Sequence, residues 1–134
     1  MAIVEGAFDR VLFPTREKPR SPGLPHIAYC IGATATLAIV AYTTSKPWPA
    51  GIPCPLGVRP FDAEAARALG QRPFVLDLRR LAKLPISSAW FLDLETPTAG
   101  VIAVAPRALR DELQETLAAL LRRHRALVTT AGPR

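Results

Sequence analysis

The chain has 134 residues, of which 49% are hydrophobic and 21% charged, and its formal net charge is +6. This length and composition predict a single domain with its own hydrophobic core, spanning residues 1–134. Its two cysteines and two histidines are too few for a disulfide framework or a structural zinc site. Glu5 and Asp9 stand where a secretory signal would be basic and then apolar, which favours a cytoplasmic protein.

The positive charge comes mostly from arginine, because Lys18, Lys46 and Lys83 are the only lysines. The planar guanidinium group matches phosphate, which favours a nucleic-acid partner. GC-rich codon usage raises arginine, alanine, proline and leucine together and explains the same composition. The net charge alone therefore leaves both explanations open.

The first half of the chain is typical of antiparallel β-structure. Residues 7–13 predict a strand that Pro14 ends, and residues 14–25 predict an exposed basic loop. Residues 26–32 and 37–44 predict a hairpin at the centre of the sheet, covered on both faces because both runs are almost wholly apolar. The charge-free run 27–45 approaches the length of a membrane helix, but its β-branched halves around a small polar cluster favour the hairpin.

The second half of the chain predicts two helices with two strands between them. Residues 47–60 are predicted irregular, residues 61–69 helical with Asp62 as N-cap and Gly70 at the left-handed C′ position, and residues 74–78 and 98–105 strands. Residues 79–97 stay unassigned. A final helix begins at Pro106, residues 129–134 form a frayed tail, and the helix carries an apolar face of five leucines: Leu109, Leu113, Leu117, Leu120 and Leu121. The pattern predicts a mainly β fold, a twisted barrel-like antiparallel sheet closed by this amphipathic helix.

None of the common catalytic motifs is present, so the chemistry must come from polar clusters. One is the basic loop, another the end of the third predicted strand, and the third follows residues 74–78. Their members are Arg16, Lys18, Arg20 and His26; Thr43, Thr44, Ser45 and Lys46; and Asp77, Arg79 and Arg80. Hydroxyls beside basic groups can hold a phosphate. The alternative is a polar strand end, a solvated loop and an ion pair between Asp77 and an arginine.

The two thiols favour structural roles. Cys30 lies within an apolar strand and is expected to be buried, whereas Cys54 lies in the proline-rich segment and is expected to be exposed. Neither predicts a nucleophile.

The order of these segments resembles the PemK/MazF family of toxin endoribonucleases. The matching segments are FDRVLFP at 8–14, residues 20–25, AYTTS at 41–45, LDLRRL at 76–81, and residues 100–122. The resemblance implies an SH3-like barrel, a homodimer, an antitoxin partner and cleavage of single-stranded RNA through its 2′-hydroxyl, with no metal or cofactor. It implies Arg20 and Thr44 as the catalytic pair.

The chain departs from the family where the basic loop meets the second strand. Arg20 is separated from His26 by an additional Gly23-Leu24-Pro25, so His26 is the alternative catalytic residue. The predicted substrate-binding residues are Arg16, Lys18, Thr43, Ser45, Lys46 and Arg79. Two other functions stay open: a catalytically inactive barrel that binds a partner through an apolar groove near Trp48 or Trp90, and a gyrase-directed toxin on the same fold.

Overall fold

A computed structural model describes residues 3–15 and 17–131. The described chain forms one curled sheet, a half-barrel, with strand order β4-β5-β3-β2-β1-β6 and every neighbouring pair on this path antiparallel. A further strand, β7, pairs in parallel with β5. The elements are β1 (Ala7–Leu12), β2 (Pro25–Ala33), β3 (Leu37–Thr44), β4 (Val58–Phe61), α1 (Ala63–Arg67), β5 (Phe74–Pro85), β6 (Val101–Val104), α2 (Arg107–Arg122) and β7 (Leu127–Thr130).

The β2–β3 hairpin lies at the centre of the sheet, as predicted. Its side chains alternate between two core clusters because successive residues of a strand point to opposite faces. Cys30 and Val40 belong to one cluster, and Tyr29 and Ala41 belong to the other. The charge-free run 27–45 thus forms this hairpin, and no helix of the described chain is long and apolar enough to cross a membrane.

Helix α2 covers one face of the sheet. Leu113 and Leu120 are buried in the same cluster as Phe8 and Leu78, which confirms the predicted packing face. A Cβ atom at Gly57 would lie 2.6 Å from Leu120 Cδ1, so the chain before β4 approaches the helix as closely as glycine permits. Leu121, however, is 52% exposed, so its assignment to the apolar face was wrong.

The opposite face is closed by the segment that the sequence left unassigned. Residues 79–85 continue β5, and the turns after it bring Trp90 and Phe91 into the core. The backbone of this segment bonds to β1, with Leu12 N donating to Trp90 O at 2.8 Å. Trp90 is fully buried and therefore cannot line an exposed groove.

Several predicted boundaries need correction. The segment 47–60 was predicted irregular throughout, yet its end enters strand β4. The strand predicted at 98–105 spans only Val101–Val104, because Ala99 and Gly100 adopt positive φ angles of 54° and 78°. The predicted frayed tail is wrong at Thr129 and Thr130, which belong to β7; residues 132–134 lie outside the described residues.

Helix α1 has the predicted N-cap, Asp62, but it is shorter than the predicted 61–69: it spans Ala63–Arg67, Phe61 belongs to β4, and its C-cap is Ala68. Asp62 Oδ1 accepts a hydrogen bond from Ala65 N at 2.9 Å, and Gly70 has a φ of 68°. The helix ends where the chain turns into β5, so Arg67 and Arg72 lie near the adjoining ends of the central strands.

Candidate functional site

A cleft of about 760 Å³ opens where β2 begins and β3 ends. Its walls are residues 25–27, Thr43 and Ser45 on the sheet side and Arg67 with residues 70–74 on the α1 side. We call this the basic cleft, because His26, Arg67 and Arg72 line it. The acidic residues of the described chain do not contribute to its lining.

His26 stands on the sheet wall of the basic cleft. Its ring is half-buried, with its centroid 4.7 Å from that of Tyr42, whose other contacts include the Arg80 guanidinium at 3.9 Å. Burial lowers the pKa of His26 below 6.5; a hydrogen bond with the Thr43 backbone raises it, and the positive charge of Arg80 lowers it further. The imidazole is therefore neutral at physiological pH and able to accept a proton.

The two threonines at the end of β3 point to opposite faces of the sheet, because successive residues of a strand alternate. Thr43 is buried, and its hydroxyl donates to the Ile27 carbonyl across the β2–β3 pair. Thr44 does not line the cleft; its Oγ1 accepts from Lys46 N at 3.1 Å. Ser45 is exposed and lines the cleft. The strand end thus offers the Ser45 hydroxyl, while that of Thr43 already has a backbone partner.

The remaining predicted basic residues lie elsewhere. Lys18 and Arg20 are exposed on the loop between β1 and β2, and neither lines the basic cleft. Lys46 is exposed beyond the end of β3 and is likewise not part of the cleft lining. Arg16 lies outside the described residues.

Arg79 forms an ion pair with Asp77, as the alternative to a phosphate site predicts. Its Nε and Nη2 atoms donate to the two carboxylate oxygens of Asp77, each at 2.9 Å, and this pairing raises the pKa of Arg79. The guanidinium also lies 6.0 Å from the ring centroid of Trp48. Because Asp77 binds its guanidinium through both carboxylate oxygens, Arg79 has a structural role, and it does not line the cleft.

Arg67, Gln71 and Arg72 line the cleft, although no sequence motif predicts them there. Arg67 lies at the end of helix α1, and Gln71 and Arg72 lie in the turn after it. Their approach to the strand ends depends on how that helix packs against the sheet, which is a tertiary feature. The sequence does hold one signal: Arg67 and Arg72 lie close together on either side of Gly70, at the predicted helix end. Basic side chains at such an end extend beyond the helix.

The cysteines are as predicted. Cys30 is buried, burial raises the pKa of its thiol to about 11, and Cys54 is exposed; both are free thiols. A thiol with such a raised pKa carries little thiolate at neutral pH, so Cys30 is a core residue and not a nucleophile.

No protein-family profile matches the chain, and no curated protein is significantly similar to it in sequence.

Proposed function

We propose that this protein binds single-stranded RNA in the basic cleft and cleaves it without a metal ion, as a PemK/MazF-like endoribonuclease. The observation that carries the proposal is one open cleft lined by two arginines and by a histidine whose pKa is lowered by burial. A phosphodiester needs this combination: a group that accepts the proton of the 2′-hydroxyl, and cations that offset the charge on the phosphate. The described chain also has the curled antiparallel sheet with a helix across one face that an SH3-like, PemK-like barrel requires.

The reaction assigned to the cleft is an internal transesterification. His26 accepts the 2′-hydroxyl proton, the 2′-oxygen bonds to phosphorus, and the bond from phosphorus to the 5′-oxygen breaks. The products are a 2′,3′-cyclic phosphate and a 5′-hydroxyl end, whose proton comes from solvent water in the open cleft. Arg67 and Arg72 neutralise the phosphate oxygens, and arginine suits this role because it stays charged.

The remaining parts of the proposal come from the family resemblance. They are a homodimer, an antitoxin that inhibits the nuclease, and a cytoplasmic location where the enzyme meets RNA. Within the resemblance the catalytic pair would be Arg20 and Thr44. The cleft geometry favours His26 over Arg20, since His26 lines the cleft and Arg20 does not.

The second candidate is a non-catalytic RNA-binding module that uses the same cleft. It is favoured by the Thr43 hydroxyl, which is committed to the Ile27 carbonyl, and by Thr44, which lies outside the lining. His26 is the only histidine among the described lining residues, and burial lowers its pKa below 6.5. A binding module needs the cations of the cleft and no proton acceptor.

Incubation of the protein with a long, end-labelled single-stranded RNA in excess EDTA tests the proposal. We expect cleavage to a cyclic phosphate, and a loss of at least about 100-fold in rate for His26→Gln, as is usual when a general base is removed. The matched control is His124→Asn at the other histidine, which is exposed and has a φ of 53° that asparagine tolerates.

Each outcome has a distinct meaning. Cleavage that survives His26→Gln would contradict the assignment of His26. Salt-dependent RNA binding with no cleavage by the wild-type protein would favour the binding module. Failure to bind RNA at all would refute both candidates.

A further inference from the structure

A second cavity, of about 360 Å³, adjoins the basic cleft and shares Ser45, Pro73 and Phe74 with it. We call it the Trp48 pocket. Its walls are three prolines and three aromatic rings: Pro47, Pro60, Pro73, Trp48, Phe61 and Phe74. Its size falls in the range of small-molecule sites.

The walls of the Trp48 pocket are held in place before any ligand binds. Trp48 Nε1 donates to the Ile52 carbonyl at 2.9 Å, which fixes the indole. Phe61 and Phe74 stack with their centroids 4.6 Å apart and their planes at 13°. Proline rings add stiffness because their φ angle is fixed. A preorganised aromatic pocket loses little conformational entropy when a flat ligand enters.

The charges of the two cavities differ in sign. The basic cleft carries His26, Arg67 and Arg72, whereas Asp62 is the only charged residue among the described residues that line the Trp48 pocket. A phosphate is therefore favoured in the first cavity over the second. An apolar, planar group attached to that phosphate has the opposite preference, because it gains by stacking and by leaving water.

We propose that the Trp48 pocket holds one unpaired nucleobase of the RNA strand whose phosphate lies in the basic cleft. This inference rests on the proposed RNA-binding function and adds the part of the nucleotide that the basic cleft cannot recognise. Stacking of a base on an aromatic side chain tolerates every base, so the pocket secures an extruded nucleotide and selects single-stranded over paired RNA.

The test compares the affinity of the wild-type protein for a short oligoribonucleotide and for the same oligoribonucleotide with one abasic position. We expect the abasic strand to bind about 5- to 150-fold more weakly at the position that occupies the pocket, the range that one stacked base supplies. A 2-aminopurine at that position should lose fluorescence on binding. The comparison needs no variant, so it does not depend on how a substitution affects folding.

Substitutions at position 48 then assign the effect to the pocket. Trp48→Leu should reduce the difference between intact and abasic strands to less than about 2-fold, and Trp48→Phe should keep most of it. If abasic and intact strands bind wild-type protein equally and 2-aminopurine is not quenched, the base pocket is refuted and RNA binding stands. If no strand binds, with or without bases, the inference falls together with the proposed function.

Discussion

Replacement of Asp9 by asparagine should stabilise the protein at neutral and alkaline pH. Asp9 is 1% exposed on β1; its Oδ1 accepts from Arg10 N at 3.0 Å, and its Oδ2 has no partner among the described residues. Burial raises the pKa of this carboxyl from 3.8 to about 7, the Arg10 hydrogen bond lowers it, and the Asp93 charge raises it. The folded protein therefore retains a proton that the unfolded chain has lost.

The sign and size of the effect follow from this difference in pKa. Above pH 3.8 the unfolded chain releases the Asp9 proton, whereas the folded protein keeps it up to about pH 7. Stability should fall as the pH rises through this window and then level off, because only the folded state binds the additional proton. A difference of about 3 pH units corresponds to a loss on the order of 4 kcal/mol. Asparagine has nearly the same shape, no charge and an oxygen to accept the Arg10 N–H, so it removes this pH dependence.

Urea unfolding of wild-type protein and Asp9→Asn near pH 5 and near pH 8 measures the effect. We expect the free-energy difference between the two proteins to widen by about 3 kcal/mol in favour of Asp9→Asn at the higher pH. Asp111→Asn is the matched control, because Asp111 is exposed on α2. A gap of the same size at both pH values, or one that favours wild-type protein at the higher pH, would refute the argument from burial.

Two further predictions concern the core. Leu113→Ala should lower the free energy of unfolding in urea by about 2–5 kcal/mol, because Leu113 is a buried residue of α2. Leu121→Ala, at an exposed position of the same helix, should lower it by less than about 1 kcal/mol. Equal costs would place the packing face of the helix elsewhere. Amides of the β2–β3 hairpin should exchange with deuterium more slowly than those of any other element, because the hairpin is central in the sheet; rapid exchange over residues 38–42 would contradict this.

Strands with strong and uninterrupted patterns were predictable. The bounds predicted for β3 agree with the structure. A charge-free run between polar turns is buried, and a strand pairs its backbone hydrogen-bonding groups there. Strand β4 was missed because Pro60 argues against a strand. An edge strand tolerates proline, and β4 is at the edge of the sheet. β7 was missed because a four-residue strand after a helix carries little periodicity of its own.

The candidate site was predictable in position but not in composition. The sequence identified the end of β3, yet strand alternation buries Thr43 and excludes Thr44 from the cleft lining. The arginines opposite this strand end are supplied by α1 and the turn after it. Their position depends on how α1 packs against the sheet, and a local pattern does not contain that information.

The start of β2 offers a way to test whether His26 acts as a base or whether an arginine suffices there. A Cβ atom at Gly23 would lie 2.1 Å from the Phe13 carbonyl oxygen, so the basic loop folds back tightly against the chain after β1. His26 then follows Pro25 as the first side chain of β2 with a titratable group, and it lines the cleft.

The variant His26→Arg restores an arginine at the start of this strand while removing the proton acceptor. If an arginine suffices there, as the family resemblance implies, His26→Arg should cleave RNA at a rate that no longer depends on a pKa below 6.5. If His26 is the base, the wild-type rate should rise with pH through that lowered pKa, and His26→Arg should bind RNA without cutting it.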